Sequence, residues 1–184
     1  GWLDLYLAND YGPEEFFRNI EGQRFELAGV GLSEDSKSGM SVALGDTRNA
    51  GTLDVYVTNI SKALYLFQGN NLRVNRLAEG AGFENVARDG VLVDCGWAWG
   101  AQFGDLNNDG WQDLVVVNGF ISADRERDYW YDMSLVAGGA GNLFVDTRNW
   151  APIGARSLSG YERSRVMVSL QGRRFLDVAG AVGC

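Results

Sequence analysis

The chain has 184 residues, 46% of them hydrophobic and 22% charged, with 25 glycines and two prolines, a composition that buries a core and favours many short strands joined by tight turns. Its 16 basic and 24 acidic residues leave a formal charge of −8, and the Lys and Arg are scattered, which argues against a nucleic-acid partner and suits cation binding or a basic partner. Histidine is absent, which excludes a Ser-His-Asp arrangement and every His-ligated zinc or haem site; the two cysteines, Cys95 and Cys184, exclude a four-Cys metal site and leave open whether they pair or stay free.

In chain order, the first element is Trp2-Leu3-Asp4-Leu5-Tyr6-Leu7-Ala8-Asn9, an Asp followed by a short β-type run and an Asn. Next comes Gly22-Gln23-Arg24-Phe25, leading into the apolar run 27–32. Over 40–45 large and small residues alternate, with Met40, Val42 and Leu44 set against Ser41, Ala43 and Gly45. The first phrase then returns as Thr52-Leu53-Asp54-Val55-Tyr56-Val57-Thr58-Asn59, and a faint copy of the second follows at 77–83.

The alternation recurs before the third copy: Trp97, Trp99, Ala101 and Phe103 are expected on one side of a strand, and Ala98, Gly100, Gln102 and Gly104 on the other. The third copy is Trp111-Gln112-Asp113-Leu114-Val115-Val116-Val117-Asn118. The rhythm breaks over 119–141, which reads as an insertion, either a solvated loop or a ligand-contacting one. The Gly-Phe phrase closes the series as Gly172-Arg173-Arg174-Phe175 leading into 178–183.

The shared Asp falls at 4, 54 and 113, spacings of 50 and 59 residues that match propeller blades. The expected fold is all-β: four-stranded antiparallel blades of a β-propeller, divided at about 1–45, 46–104 and 105–184, with a cation loop between strands. Three blades are too few to close a ring, so the chain is expected to belong to a longer polypeptide or assembly. No apolar run approaches the roughly 20 residues that span a bilayer.

One segment carries chemistry. Asp105-Leu106-Asn107-Asn108-Asp109-Gly110-Trp111-Gln112-Asp113 has the form D-x-N-x-D-G-x-x-D. Calcium takes six to eight hard oxygens, and alternate side chains at Asp105, Asn107 and Asp109, the backbone carbonyl of Trp111 and the carboxylate of Asp113 supply them around a bend at Gly110. An EF-hand would need a Glu at position 12, which here is Val116 inside a strand, so the loop joins two strands. The other reading is an Asx-rich hairpin whose carboxylates cap backbone amides. An earlier copy, 46–54, keeps Asp46, Gly51 and Asp54 but has Arg48 and Ala50 where two ligands would stand. There the Arg48 guanidinium is expected beside Asp46 and Asp54, supplying the positive charge in place of an ion.

Phe103-Gly104-Asp105 running into this loop resembles the FG-GAP, or VCBS-type, repeats of integrin α-subunit propellers and many bacterial surface proteins. Trp99-Gly100-Ala101, Asn118-Gly119, Gly141-Asn142-Leu143-Phe144 and Arg174-Phe175-Leu176-Asp177-Val178-Ala179 are similar to the subgroup of cartilage acidic and ASPIC/UnbV-type proteins. The resemblance implies a secreted, periplasmic or cell-surface location, calcium held for rigidity, and recognition of a protein or carbohydrate ligand through loops, without catalysis. Two alternatives stand beside it: a propeller-based hydrolase using Asp124, Glu126 and Asp128, and a structural subunit of an envelope assembly contacting its neighbour near Trp130.

Overall fold

A computed structural model describes residues 1–32, 37–62, 66–88, 90–119, 147–150, 152, 154 and 162–184. Short β-rich runs separated by Gly, Asn and Asp form three antiparallel sheets and one small hairpin. The first sheet holds β1 (Leu5–Leu7), β2 (Glu15–Ile20) and β3 (Arg24–Leu27). The second holds β4 (Ser41–Gly45), β5 (Asp54–Thr58), β8 (Asn71–Arg76) and β9 (Gly82–Asn85), with the hairpin β6 (Ser61–Lys62) and β7 (Leu66–Phe67) inserted between β5 and β8. The third holds β10 (Ala98–Gly104), β11 (Asp113–Asn118), β12 (Arg165–Ser169) and β13 (Phe175–Asp177). Each is a propeller-like blade, and the loops 46–53 and 105–112 join the first two strands of a blade rather than opening it.

The repeated Asp and Asn clamp a neighbouring strand at both ends. The backbone N–H of Asn19, Asn75 and Ser169 donates to Oδ1 of Asp4, Asp54 and Asp113 at 2.8, 2.9 and 2.8 Å. At the other end Nδ2 of Asn9, Asn59 and Asn118 donates to the carbonyls of Pro13, Gly69 and Arg163 at 2.8, 3.0 and 2.8 Å. The two clamped sites are six residues apart in every blade, so each Asp-strand-Asn phrase fixes one complementary strand and satisfies backbone groups that the ladder leaves unpaired.

The blades stack face to face, and every residue of β5 is buried. Val55 and Val57 face the first blade, packing with Phe16, Leu32 and Phe83, whose Phe16–Phe83 and Tyr6–Phe83 rings meet edge-on. Tyr56 faces the third blade and joins Ala43, Leu72, Phe103, Leu114, Val116 and Met167. Truncating a fully buried Leu such as Leu114 costs about 2–5 kcal/mol. The small side of β4 lets the blades approach: a Cβ added at Gly45 would lie 2.6 Å from Phe103 Cγ.

The expected alternation along β10 fails at its start. A bulge leaves Trp99 unpaired between the registers Ala98↔Asn118 and Gly100↔Val117, shifting the side-chain parity by one. Ala98 therefore joins Ala101 and Phe103 on the inner side, not Gly100 and Gln102. Trp97 is buried beside Ile60, while Trp99 stacks on it at 6.4 Å and stays 46% exposed.

Candidate cation-binding loop

The loop 105–113 folds through a set of carboxylate and amide oxygens that accept from its own backbone. Asp105 Oδ1 and Oδ2 accept from Asp109 N and Gly110 N at 3.0 and 2.9 Å. Asn107 Oδ1 also accepts from Asp109 N at 3.0 Å, and Asp109 Oδ1 accepts from Trp111 N at 2.9 Å. Asp113, fully buried, takes Leu106 N on Oδ2 at 2.9 Å and Ser169 N on Oδ1 at 2.8 Å. The bend needs left-handed backbone at Asn108 (φ 56°) and Gly110 (φ 85°), which Asn and Gly adopt with least strain.

The copy at 46–54 has the same backbone without the same side chains. Asp46 Oδ1 and Oδ2 accept from Ala50 N and Gly51 N at 2.8 and 2.7 Å, and Asn49 and Gly51 have φ 52° and 75°. Arg48 contacts the fully buried Asp54, with Nη2 3.2 Å from Oδ1 and Nε 3.4 Å from Oδ2. Its Nη2 also reaches the Asn75 carbonyl at 2.9 Å, and Thr47 Oγ1 donates to Asp54 Oδ2. The guanidinium thus sits on Asp54 as expected, whereas Asp46 is held by backbone amides: at position 1 the two N–H groups of residues 50 and 51 already face both carboxylate oxygens.

The two loops differ in charge. Among the described residues no Lys or Arg pairs with Asp105, Asp109 or Asp113, whereas Arg48 answers Asp54. Among them, too, no three His, Cys, Asp or Glu side chains converge into a metal cage. The donors Asp105, Asn107, Asp109 and Asp113 are hard oxygens whose second lone pairs remain beyond the amide bonds, so the chemistry of the set fits calcium.

A cleft of about 600 Å³ opens beside the loop, lined by Asp109, Ser169, Leu170, Gln171, Arg173 and Arg174. Its hairpin turn carries the Gly-Phe phrase seen in the sequence. A Cβ at Gly172 would lie 2.8 Å from Trp111 Cζ3 and 2.5 Å from the Thr47 carbonyl, and one at Gly22 would lie 2.8 Å from Trp2 Cζ3. The repeated Trp and Gly are one contact: the ring covers a glycine turn.

Sequence reasoning did not find Ser169, Asn75, Asn19 or Asn49. A weak signal for two of them was present, since Asn19 and Ser169 stand three residues before Gly22 and Gly172 and accept from those N–H groups at 2.8 and 3.0 Å. It also missed Glu14, buried with Arg73, whose Nε donates to Oε2 at 2.8 Å. The two cysteines are free, Cys95 buried and Cys184 exposed. Asp124, Glu126, Asp128 and Trp130 lie outside the described residues.

Among the described residues no helix is long and apolar enough to cross a membrane. No curated protein matches the chain. Residues 49–116, from within the first loop through the second blade and the intact loop into β11, match the family of FG-GAP-like repeats. These residues carry an FG-GAP-like repeat, set within a chain of three propeller-like sheets and repeated loops.

Proposed function

We propose that the chain is an extracellular, non-enzymatic binding module in which the 105–113 loop holds a structural calcium ion. Asp105, Asn107, Asp109, the Trp111 carbonyl and Asp113 are the ligands, while the 46–54 loop, with Asp46 and Asp54, does without one. The observation that carries this reading is the contrast between twin loops: the same backbone holds a guanidinium on Asp54 in one and leaves three carboxylates without a basic partner among the described residues in the other. Bound calcium would supply the missing positive charge and draw the donors together.

A rigid loop beside an open cleft suits recognition of a protein or carbohydrate without the entropic cost of ordering a mobile surface. FG-GAP-type repeats are generally extracellular interaction modules, which supports the location and the class of partner. Within this reading we assign it to the cartilage acidic and ASPIC/UnbV-type subgroup, on the likeness of the phrases at 99–101, 118–119, 141–144 and 174–179.

Calcium titration calorimetry on the protein and on Asp109→Ala, with melting in calcium and in chelator, tests it. The expected result is one binding event, lost in the variant, and a melting temperature raised by calcium in the parent alone. A folded protein that takes no calcium would overturn the reading.

A further inference from the structure

The arginine-bearing loop of the second blade touches the intact loop of the third. Asn49 Nδ2 donates to the Gly110 carbonyl at 3.0 Å. That carbonyl belongs to the peptide unit whose N–H, on Trp111, donates to Asp109 Oδ1 at 2.9 Å. One peptide plane is therefore held at both ends, by Asn49 from the neighbouring blade and by a carboxylate of the proposed site. Because hydrogen bonds polarise one another along a chain, the Asn49 contact strengthens and aims the bond to Asp109. Fixing this plane also constrains the next carbonyl, that of Trp111, which is the proposed backbone ligand.

The brace is itself independent of any ion. Arg48 ties its loop to Asp54 and Asn75, and Asp46 takes the N–H groups of Ala50 and Gly51, so the loop around Asn49 is assembled without a cation. A second contact runs the same way: the Thr47 carbonyl abuts Gly172, in the turn that follows Ser169, whose N–H holds Asp113.

We infer that Asn49 is a positioning residue for the 105–113 cation loop, acting across the interface between two blades. The inference rests on the calcium reading of that loop. It gives the degenerate repeat a role: the copy without its own ligands preorganises the copy that keeps them.

The test is calcium calorimetry on the full chain with Asn49→Gly, which keeps the left-handed backbone accessible and removes only the side-chain donor. Melting in chelator serves as the check on folding, and Asn49→Ser is a second variant with a side chain too short to reach. Calcium affinity is expected to fall about three- to tenfold, as the loss of one exposed hydrogen bond implies, with the chelator melting temperature unchanged. Unaltered affinity in both variants, where the parent binds and Asp109→Ala does not, overturns the inference and leaves the calcium reading intact. No binding by the parent overturns the calcium reading, and this inference with it.

Discussion

Arg48 and Asp54 meet where two loops of one repeat diverge: the guanidinium Nη2 lies 3.2 Å from a carboxylate oxygen that is fully buried, in the loop that has Arg48 and Ala50 where its twin has Asn107 and Asp109. In the twin loop Asp113 occupies the same place and holds Ser169 N as Asp54 holds Asn75 N. The carboxylate is thus retained for its grip on a neighbouring strand as well as for any cation above it.

Replacing Arg48 by Asn is expected to destabilise the protein by about 2–3 kcal/mol. The cost follows from leaving a buried carboxylate without its partner, reduced because the guanidinium side chain is about a quarter exposed. No tight cation site should appear, since Ala50 still lacks a ligand oxygen. Denaturant unfolding with and without calcium checks both parts; an unchanged midpoint would show that Arg48 only lies on the surface of the loop.

Glu14 and Arg73 form a buried pair between the first two blades, with Asn71 Nδ2 on Oε1 at 3.1 Å and Tyr6 Oη on Oε2 at 2.5 Å. Glu14→Ala should cost about 3–5 kcal/mol, because it removes the Glu14 carboxylate from a buried guanidinium at an interface built from Phe16, Val55, Val57 and Phe83. Glu14→Leu combined with Arg73→Met should recover much of that loss. A double variant as unstable as the single one, by urea unfolding, would mean the pair contributes beyond charge compensation.

Cys95 lies against Tyr56, whose Oη is 3.3 Å from Sγ, and burial pushes the thiol up from 9.0 to about 11. Alkylation of the native protein at pH 8 should modify Cys184 and spare Cys95, with the second thiol reacting only on unfolding. The thiol favours its protonated form when folded, so this contribution is complete below pH 9 and fades as pH rises towards 11, by about 1.4 kcal/mol per unit. Mass spectrometry after brief labelling, and melting between pH 8 and 11 beside Cys95→Ala, measure the two effects; equal labelling of both thiols would refute the buried assignment.

The repeat was legible because its signals are local. Asp followed by a β-run and Asn, a D-x-N-x-D-G loop and a glycine turn each lie within ten residues, and each maps onto a blade, a loop or a hairpin. The β10 bulge was not legible: alternation in the sequence looks the same whether Trp99 is paired or extruded, and only the register with β11 decides it.

What the sequence by itself determined was the all-β repeat, the place of the oxygen-rich loop and the exchange of two of its oxygen side chains for Arg48 and Ala50 in the earlier copy, all set by residue type and short spacing. Only the tertiary structure decided which strand each Asp and Asn would clamp. Asp4, Asp54 and Asp113 find their N–H partners 15, 21 and 56 residues onward, separations no single spacing rule predicts. Only it decided, too, that Asn49 would meet Gly110 across 61 residues. The reason is physical: hydrogen-bond chemistry is written in a residue's own side chain, but its partner is chosen by how blades stack, and stacking is fixed by buried faces drawn from distant parts of the chain.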